Sequence, residues 1–245
     1  MKSLSALIVV IALAGCSGPR AVAPESADQI KTIGVISTIG DSVRLRTVGL
    51  IVFGNKDAES SIESWELDNF VVTEAGSLLA KRYDVRPVKY DRAAFFAGSS
   101  TGTSGNEQRA LGQAIHDAAS PNDLDAYAVV VKVQSQFGGS NQWTSGLGLL
   151  QGSGVFAHTV YMHALYAVAI VDGHQGKVLG VAAAPAHQEF LTKILRGPYR
   201  KIESSAWPDT LDAMSDTEKQ QLRDGLKELI HSSMPEVMTE LKLLP

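Results

Sequence analysis

The one cysteine of the chain, Cys16, combines reactive chemistry with an informative position. A thiol can be acylated, oxidised or bound to a metal, but a lone cysteine forms no disulfide within the chain and no cysteine-rich metal site. Cys16 directly follows Leu13, Ala14 and Gly15, at the end of an apolar run. Its chemistry is therefore expected to be tied to the N-terminal segment.

That segment has the organisation of a secretory signal. Lys2 gives a short positive region, residues 4–13 are apolar, and Ala14 and Gly15 are the small residues that a peptidase needs at its cleavage site. The apolar run of about ten residues extends roughly 15 Å as a helix, which is too short for about 30 Å of hydrocarbon. We expect residues 1–15 to be removed rather than to span a membrane.

The four residues Leu13, Ala14, Gly15 and Cys16 resemble the lipobox of bacterial lipoproteins at every position. The resemblance implies cleavage before Cys16, a diacylglyceryl group on its sulfur and an acyl group on its new amine. Several acyl chains hold a protein stably on a leaflet, where one chain binds only marginally. The alternative is an ordinary signal peptide in which a cysteine follows by chance.

The residue after the cysteine influences sorting in the same family, where an aspartate favours retention in the inner membrane. Ser17 stands there in this chain, which implies the periplasmic face of the outer membrane. We predict a signal peptide at residues 1–15, a lipidated tether at 16–28 and a single periplasmic domain at 29–245. The net charge of −4 argues against nucleic acid as a partner.

Two short motifs, Gly40-Asp41 and Gly54-Asn55-Lys56-Asp57, resemble parts of the calcineurin-like metallophosphoesterase signature. The Asp-x-His that leads this signature is missing. Lys56 stands where the family has a metal-binding histidine, and its positive charge would repel a metal. We therefore interpret Asp41 and Asn55 as turn residues.

The remaining residue types that perform catalysis or bind metals form no recognisable site. The histidines lack the helical His-x-x-x-His spacing, and His158 and His163 are an odd number of residues apart, which places them on opposite faces of a strand. Ser145, Ser153 and Ser204 do not lie in a Gly-x-Ser-x-Gly elbow, and the glycine-rich loop does not end in lysine and serine. The sequence predicts no catalytic residue, no metal and no cofactor. The histidines considered are His116, His158, His163, His174, His187 and His231.

A glycine-rich segment at residues 138–154 is the candidate contact surface. It is interpreted as a loop whose apolar side chains bind a partner or a membrane surface. These side chains are Trp143, Leu147, Leu149 and Leu150. The alternative is a long hairpin connection whose tryptophan and leucines pack back onto the domain.

Periodicity and turn signals predict the elements that position these residues. The first part of the chain should contain strands at 30–39 and 43–48 in a hairpin or meander, a helix at 62–81 started by a capping box of Ser60 and Glu63, and an edge strand at 83–90. A second capping box, Ser104 with Glu107, starts another helix. The apolar stretch 124–137 predicts a central strand.

The second part of the chain should contain a long strand at 155–171, a tight turn at 172–177 and an antiparallel return strand at 178–182. Ser215 and Glu218 form a third capping box, and Pro235 should begin a last short helix. The fold class predicted is α/β (α+β), a single mixed, largely antiparallel sheet with helices packed on it.

The hairpin at 155–184 resembles the corresponding hairpin in envelope lipoproteins related to the curli secretion channel lipoprotein. The shared features are a long strand ending in Ala-Ile-Val-Asp-Gly, a Gly-Lys turn and a return strand. Channel-forming hairpins are not evident, so secretion is not implied.

The sequence thus favours a non-catalytic, lipid-anchored envelope protein that binds or scaffolds another envelope component. Its expected partners are the membrane, through lipidated Cys16, and an envelope protein or a second copy of the chain. Two alternatives stay open: an oligomerising assembly or secretion-related subunit, and a periplasmic hydrolase with an unrecognised site.

Overall fold

The computed structural model describes residues 20–49, 55–90, 114–115, 117, 122–138, 142–152, 159–185, 195–202 and 207–244. These residues include three α-helices, which are α1 (Pro24–Gln29), α2 (Leu67–Leu79) and α3 (Asp216–Glu240). They also include ten strands, which are β1 (Thr32–Ser37), β2 (Ser42–Val48), β3 (Lys56–Ser61), β4 (Asp84–Arg86), β5 (Ala126–Lys132), β6 (Gln134–Gln136), β7 (Trp143–Gly152), β8 (Thr159–Asp172), β9 (Val178–Ala183) and β10 (Tyr199–Ile202).

The ten strands belong to one mixed sheet. Its main path runs β3-β2-β7-β8-β5-β1-β4, and β6, β9 and β10 pair with strands of this path. The long strand β8 joins two groups of strands, because its first half pairs with β7 and β10 and its second half with β5 and β9. Three of the nine strand pairs, β1–β4, β1–β5 and β2–β7, are parallel. The predicted mixed, largely antiparallel sheet is therefore confirmed.

Two interior strands of the sheet, β5 and β8, are apolar on both faces. Residues 160–171 of β8 and 126–130 of β5 are buried, since each strand has neighbours on both sides and helices or loops above and below. The predictions of a central strand, a long strand and the antiparallel β8–β9 hairpin are confirmed.

Two helices cover one face of the sheet. α2 packs against β1, α3 packs against β8, and the two helices contact each other. The buried side of α2 consists of residues four positions apart, which is the stripe that an amphipathic helix turns toward a core. They are Leu67, Val71, Ala75 and Leu79.

The start of α2 differs from the prediction. The helix begins at Leu67 instead of residue 62, after a short 3-10 turn at Glu63–Trp65. Ser60 does not cap it, because Ser60 lies in β3 opposite Val43 of β2. The capping box predicted for Ser60 and Glu63 is therefore wrong.

The predicted hairpin between the first two strands is also wrong, because β1 and β2 pair with different strands. A buried carboxylate holds their connection instead. Oδ1 of Asp68, in the first turn of α2, accepts hydrogen bonds from Ser37 Oγ (2.6 Å), Ile39 N (3.1 Å) and Gly40 N (2.9 Å). The bend after β1 is thus fixed by a side chain that lies about thirty residues further along the chain.

The capping box at the start of α3 is confirmed. Ser215 Oγ accepts from Glu218 N, and the Glu218 carboxylate accepts from Ser215 N at 2.7 Å. The predicted new helix at Pro235 is not formed, since α3 continues through this residue. Proline removes one helical hydrogen bond, but Met234 and Val237 on either side of it are fully buried in the core. Packing thus keeps the helix in one piece.

The tether prediction is wrong for residues 20–28. Arg20 pairs with Val181 of β9, and α1 starts at Pro24, where the missing N–H of proline has no helical partner to lose. Val22 and Ala27 are buried. The N-terminal part of the body therefore begins before residue 29.

Several predictions concern residues outside the described ranges. They are Cys16, Ser17 and the helix started by Ser104 and Glu107. The cleavage, the lipidation, the tether at residues 16–19 and the presence of a single domain remain predictions. No helix in the described part of the chain has both the length and the apolar character needed to cross a membrane.

Candidate functional site

The segment predicted as a contact loop is strand β7, between β2 and β8. Leu147, Leu149 and Leu150 are at most 1% exposed, whereas 48% of Trp143 is exposed. The loop prediction is wrong because the glycines serve close packing: a Cβ on Gly148 would lie 2.0 Å from the Arg44 carbonyl oxygen of β2. Of these four side chains, only Trp143 is exposed enough to contact a partner in the folded protein. Partner contact through it remains a prediction.

Trp143 lies on the β6–β7 hairpin, and β6 is outside the main strand path of the sheet. β6 pairs antiparallel with the first residues of β7, with Trp143 opposite Gln136. At its base, Val133 N donates to the Leu165 carbonyl of β8, and Gly146 N donates to the Val133 carbonyl. Hydrogen bonds thus join the base of the hairpin to β8, and Trp143 lies at the other end of the β6–β7 pairing.

The backbone at Trp143 is held by the polar side chains of Arg46 in β2 and Asn55, which precedes β3. The Arg46 guanidinium donates to the Trp143 carbonyl oxygen and, at 2.7 Å, to Gln142 Oε1. Asn55 Nδ2 donates to the same Gln142 oxygen at 3.0 Å, and Asn55 Oδ1 accepts from Gly49 N. The indole ring is exposed on a backbone that these side chains hold in place, and Asn55 directly precedes β3.

The charges next to this hairpin form ion pairs. Arg44 Nε lies 2.8 Å from Asp57 Oδ1, and Lys132 Nζ lies 2.5 Å from Asp41 Oδ1. Arg44 also donates to Ser145 Oγ of the hairpin at 3.3 Å. These ion pairs hold the strands together. Arg46 shares Asp57 with Arg44, since its Nη1 lies 3.9 Å from Asp57 Oδ2, so the three cations beside Trp143 face two carboxylates. The exposed indole supplies the apolar contact at this surface.

His163 of β8 is buried at the base of the same hairpin. Its Nδ1 lies 3.0 Å from the Gly146 carbonyl oxygen and its Nε2 lies 3.2 Å from Thr144 Oγ1. A carbonyl only accepts, so Nδ1 carries the proton and Nε2 accepts from the threonine hydroxyl. Burial lowers the pKa of His163 to about 4, an effect partly offset by the bond to Gly146 and reinforced by the charge of Arg44. His163 is thus a neutral, buried residue that links β8 to the hairpin, and both of its ring nitrogens form hydrogen bonds.

The described residues contain no group of three or more His, Cys, Asp or Glu side chains placed to hold a metal. Of the histidines within the described ranges, His163 is internal, His174 lies 3.7 Å from Asp125, and His231 pairs with Glu74 at 2.6 Å. His158, which was predicted to lie on the opposite face of the strand from His163, is outside these ranges.

A cavity of about 580 Å³ lies between β10 and α3, and Met162 and Trp207 contribute apolar surface to it. Its Arg200 is paired with Glu228. A smaller cavity of about 280 Å³ lies at the carboxyl ends of β1 and β4, where α/β sheets often bind ligands. Its arginine is also paired within the chain, to an aspartate two residues away. In both cavities the arginine is already neutralised.

No known protein family matches the chain, and no curated protein matches it. Among solved structures, the lipoprotein GNA1162 from Neisseria meningitidis is 14% identical to the chain, with a TM-score of 0.27. The match covers 83% of this chain and 99% of that one. A likeness with so low a TM-score supports no conclusion about the fold or the role of this chain.

Proposed function

We propose that the protein is a non-catalytic lipoprotein on the periplasmic face of the outer membrane, where it binds another envelope protein. The observation that supports this proposal is the complete pattern Leu13-Ala14-Gly15-Cys16 after an apolar signal segment, followed by Ser17. Acylation of Cys16 would give stable anchoring, since several acyl chains bury far more CH₂ groups than a single chain.

Trp143 is the side chain through which the body is proposed to bind its partner. It is the exposed large apolar residue of the described ranges, and its backbone is fixed by Arg46 and by strand pairing. A tryptophan held in this way loses little conformational freedom on binding, and tryptophan is enriched among the residues that dominate interface energies. The Arg44–Asp57 and Lys132–Asp41 ion pairs beside Trp143 fit an apolar contact with a polar rim.

Anchoring is tested by replacing Cys16 in the full chain. Cys16→Ala should remove the acyl groups, seen as the absence of lipid on the N-terminal peptide in mass spectrometry, and should release or mislocalise the protein. Cys16→Ser removes the same sulfur with a smaller change in size and should behave identically. Acylated protein that still fractionates with the outer membrane after either replacement would refute the anchoring mechanism.

Partner binding is tested with a photoreactive amino acid placed at position 143 in living cells. We expect a crosslinked product, and we expect none from the same amino acid at the exposed Thr217 of α3. Trp143→Ala combined with a crosslinker at the neighbouring Gln142 should weaken the product. A product of twice the protomer mass would identify the partner as a second copy. Equal products from positions 143 and 217 would refute Trp143 as the contact.

A further inference from the structure

The N-terminal arm, residues 20–23, is docked on the folded body. Arg20 and Val181 of β9 exchange two backbone hydrogen bonds of 2.8 Å each, and an Arg20 guanidinium nitrogen donates to the Val178 carbonyl oxygen at 2.5 Å. Val22 N donates to the Leu241 carbonyl oxygen at 3.2 Å, and the Val22 side chain is fully buried. The arm thus adds to β9 on one side and contacts the end of α3 on the other.

The close contact between the arm and β9 depends on Gly180. A Cβ on Gly180 would lie 2.8 Å from Val22 Cγ2 and 3.0 Å from the Arg20 carbonyl oxygen, so the close approach needs a residue without a side chain. After the arm, α1 is held by the ion pair of Asp28 with Arg82 at 2.8 Å. From Arg20 onward, the chain is therefore part of the body.

This docking makes the connection to Cys16 short. Four Cα-to-Cα steps separate Cys16 from Arg20, which span at most about 14 Å when fully extended. A folded body of this size has a radius of gyration of roughly 17 Å, which corresponds to a sphere with a radius of about 22 Å. Because the connection is shorter than this radius, an anchored body cannot turn its far side to the leaflet.

We infer that the docked arm and the edge strand β9 form a lipid-apposed surface, so that the leaflet always meets this side of the body. This inference rests on the proposed lipidation of Cys16. The surface is apposed and not inserted: Leu179 and Val181 are only partly exposed, and among the described residues the exposed large apolar side chain is Trp143. Trp143 belongs to β7, which pairs with the opposite half of β8 from the half that pairs with β9.

The test uses lipidated full-length protein in vesicles of phosphatidylethanolamine and phosphatidylglycerol with a spin label on the lipid headgroup. A fluorophore is attached to Ala183→Cys, an exposed position of β9, or to Ser61→Cys, an exposed position of the edge strand β3. The sulfur of acylated Cys16 does not react. β3 lies four strand steps from β9, about 19 Å along the sheet.

The label on β9 should be quenched at least threefold more strongly than the label on β3. An insertion of about 12 Gly and Ser residues after Ser17 lengthens the connection by roughly 20 Å. With this insertion, the quenching of the β9 label should become similar to the quenching of the β3 label. Equal quenching at the native length, with acyl groups present on Cys16, would overturn the inference alone. An unmodified Cys16 and no flotation with vesicles would refute the proposed function, and this inference with it.

Discussion

The buried His163 predicts a specific loss of stability at mildly acidic pH. In the folded protein its pKa is about 4, because burial disfavours the imidazolium. In the unfolded chain a histidine has a pKa of about 6.5. Between these values the unfolded state binds a proton that the folded state does not, so the free energy of unfolding falls as the pH falls from about 6.5 toward 4.

The two pKa values set the size of this effect. From pH 7 to pH 5, the unfolded state gains about 2 kcal/mol from protonation of this one histidine, while the folded state gains almost nothing. Full protonation of both states, below pH 4, would raise the loss to about 3 kcal/mol. Such a loss is a large part of the stability of a typical domain.

Urea unfolding of the protein without acyl groups, at pH 7 and at pH 5, measures this loss in the free energy of unfolding. His163→Asn can still donate to the Gly146 carbonyl, but it cannot titrate, so its stability should fall less between the two pH values by about 2 kcal/mol. His174→Asn makes the same change at an exposed histidine and should retain the loss of the unmodified protein. If His163→Asn kept the full pH dependence, the buried neutral histidine would not be its source.

Three further substitutions test how the structure is held together, each by urea unfolding at neutral pH. Asp68→Asn removes the charge from an oxygen with three donors and should lower the free energy of unfolding by about 1–3 kcal/mol; no change would contradict its role at the β1–β2 connection. Gly148→Ala should cost about 3 kcal/mol, because its Cβ would meet the Arg44 carbonyl oxygen, and a neutral result would show that β2 and β7 can separate. Gly76→Ala, whose Cβ would have Val85 Cγ1 as its nearest neighbour at 3.6 Å inside α2, should instead stabilise by about 1 kcal/mol, and a loss would contradict the space found there.

The strands that are apolar on both faces were predictable from sequence. β5 and β8 are nearly continuous runs of apolar and aromatic residues, mainly valine, alanine and tyrosine, and such a run is typical of a strand with both faces covered. The turn Asp172–Lys177 was equally clear, since Asp172 Oδ1 accepts from His174 N and Gln175 N as a short polar turn requires. Local composition decided these elements, and the structure agrees with it.

The strand order and the helix starts were not predictable, because partners far along the chain decide them. Ser60 and Glu63 have the types of a capping box, but pairing of β3 with β2 places Ser60 in a strand. The bend after β1 depends on Asp68, and nothing between Ser37 and Gly40 indicates that a carboxylate from α2 will hold it. Tertiary contacts of this kind override local preference.

The candidate site was mistaken for a loop because glycine has two uses that composition does not separate. In β7, Gly148 permits a close approach of the Arg44 backbone, whereas Gly146 has a positive φ of 62° that lets the chain turn from the hairpin into the sheet. A period of two was present in the alternating Gly146, Leu147, Gly148 and Leu149, and this signal could have identified the strand. Nothing in the sequence distinguished Trp143 from the leucines that follow it.

The two proposals constrain each other through the long strand β8. A body held by four residues at Arg20 has one side toward the leaflet, and β9 on that side pairs with residues 167–171 of β8. The hairpin with Trp143 continues into the strand that pairs with residues 159–165, so the rigid length of β8 separates the anchored side from the contact residue. Because His163 and the polar side chains fix that hairpin to the same strand, the proposed anchoring at Cys16 would hold the indole at a set distance from the membrane. The proposed partner would then have to meet Trp143 at that distance, and the short connection would give a positional selectivity that a long flexible tether would lose.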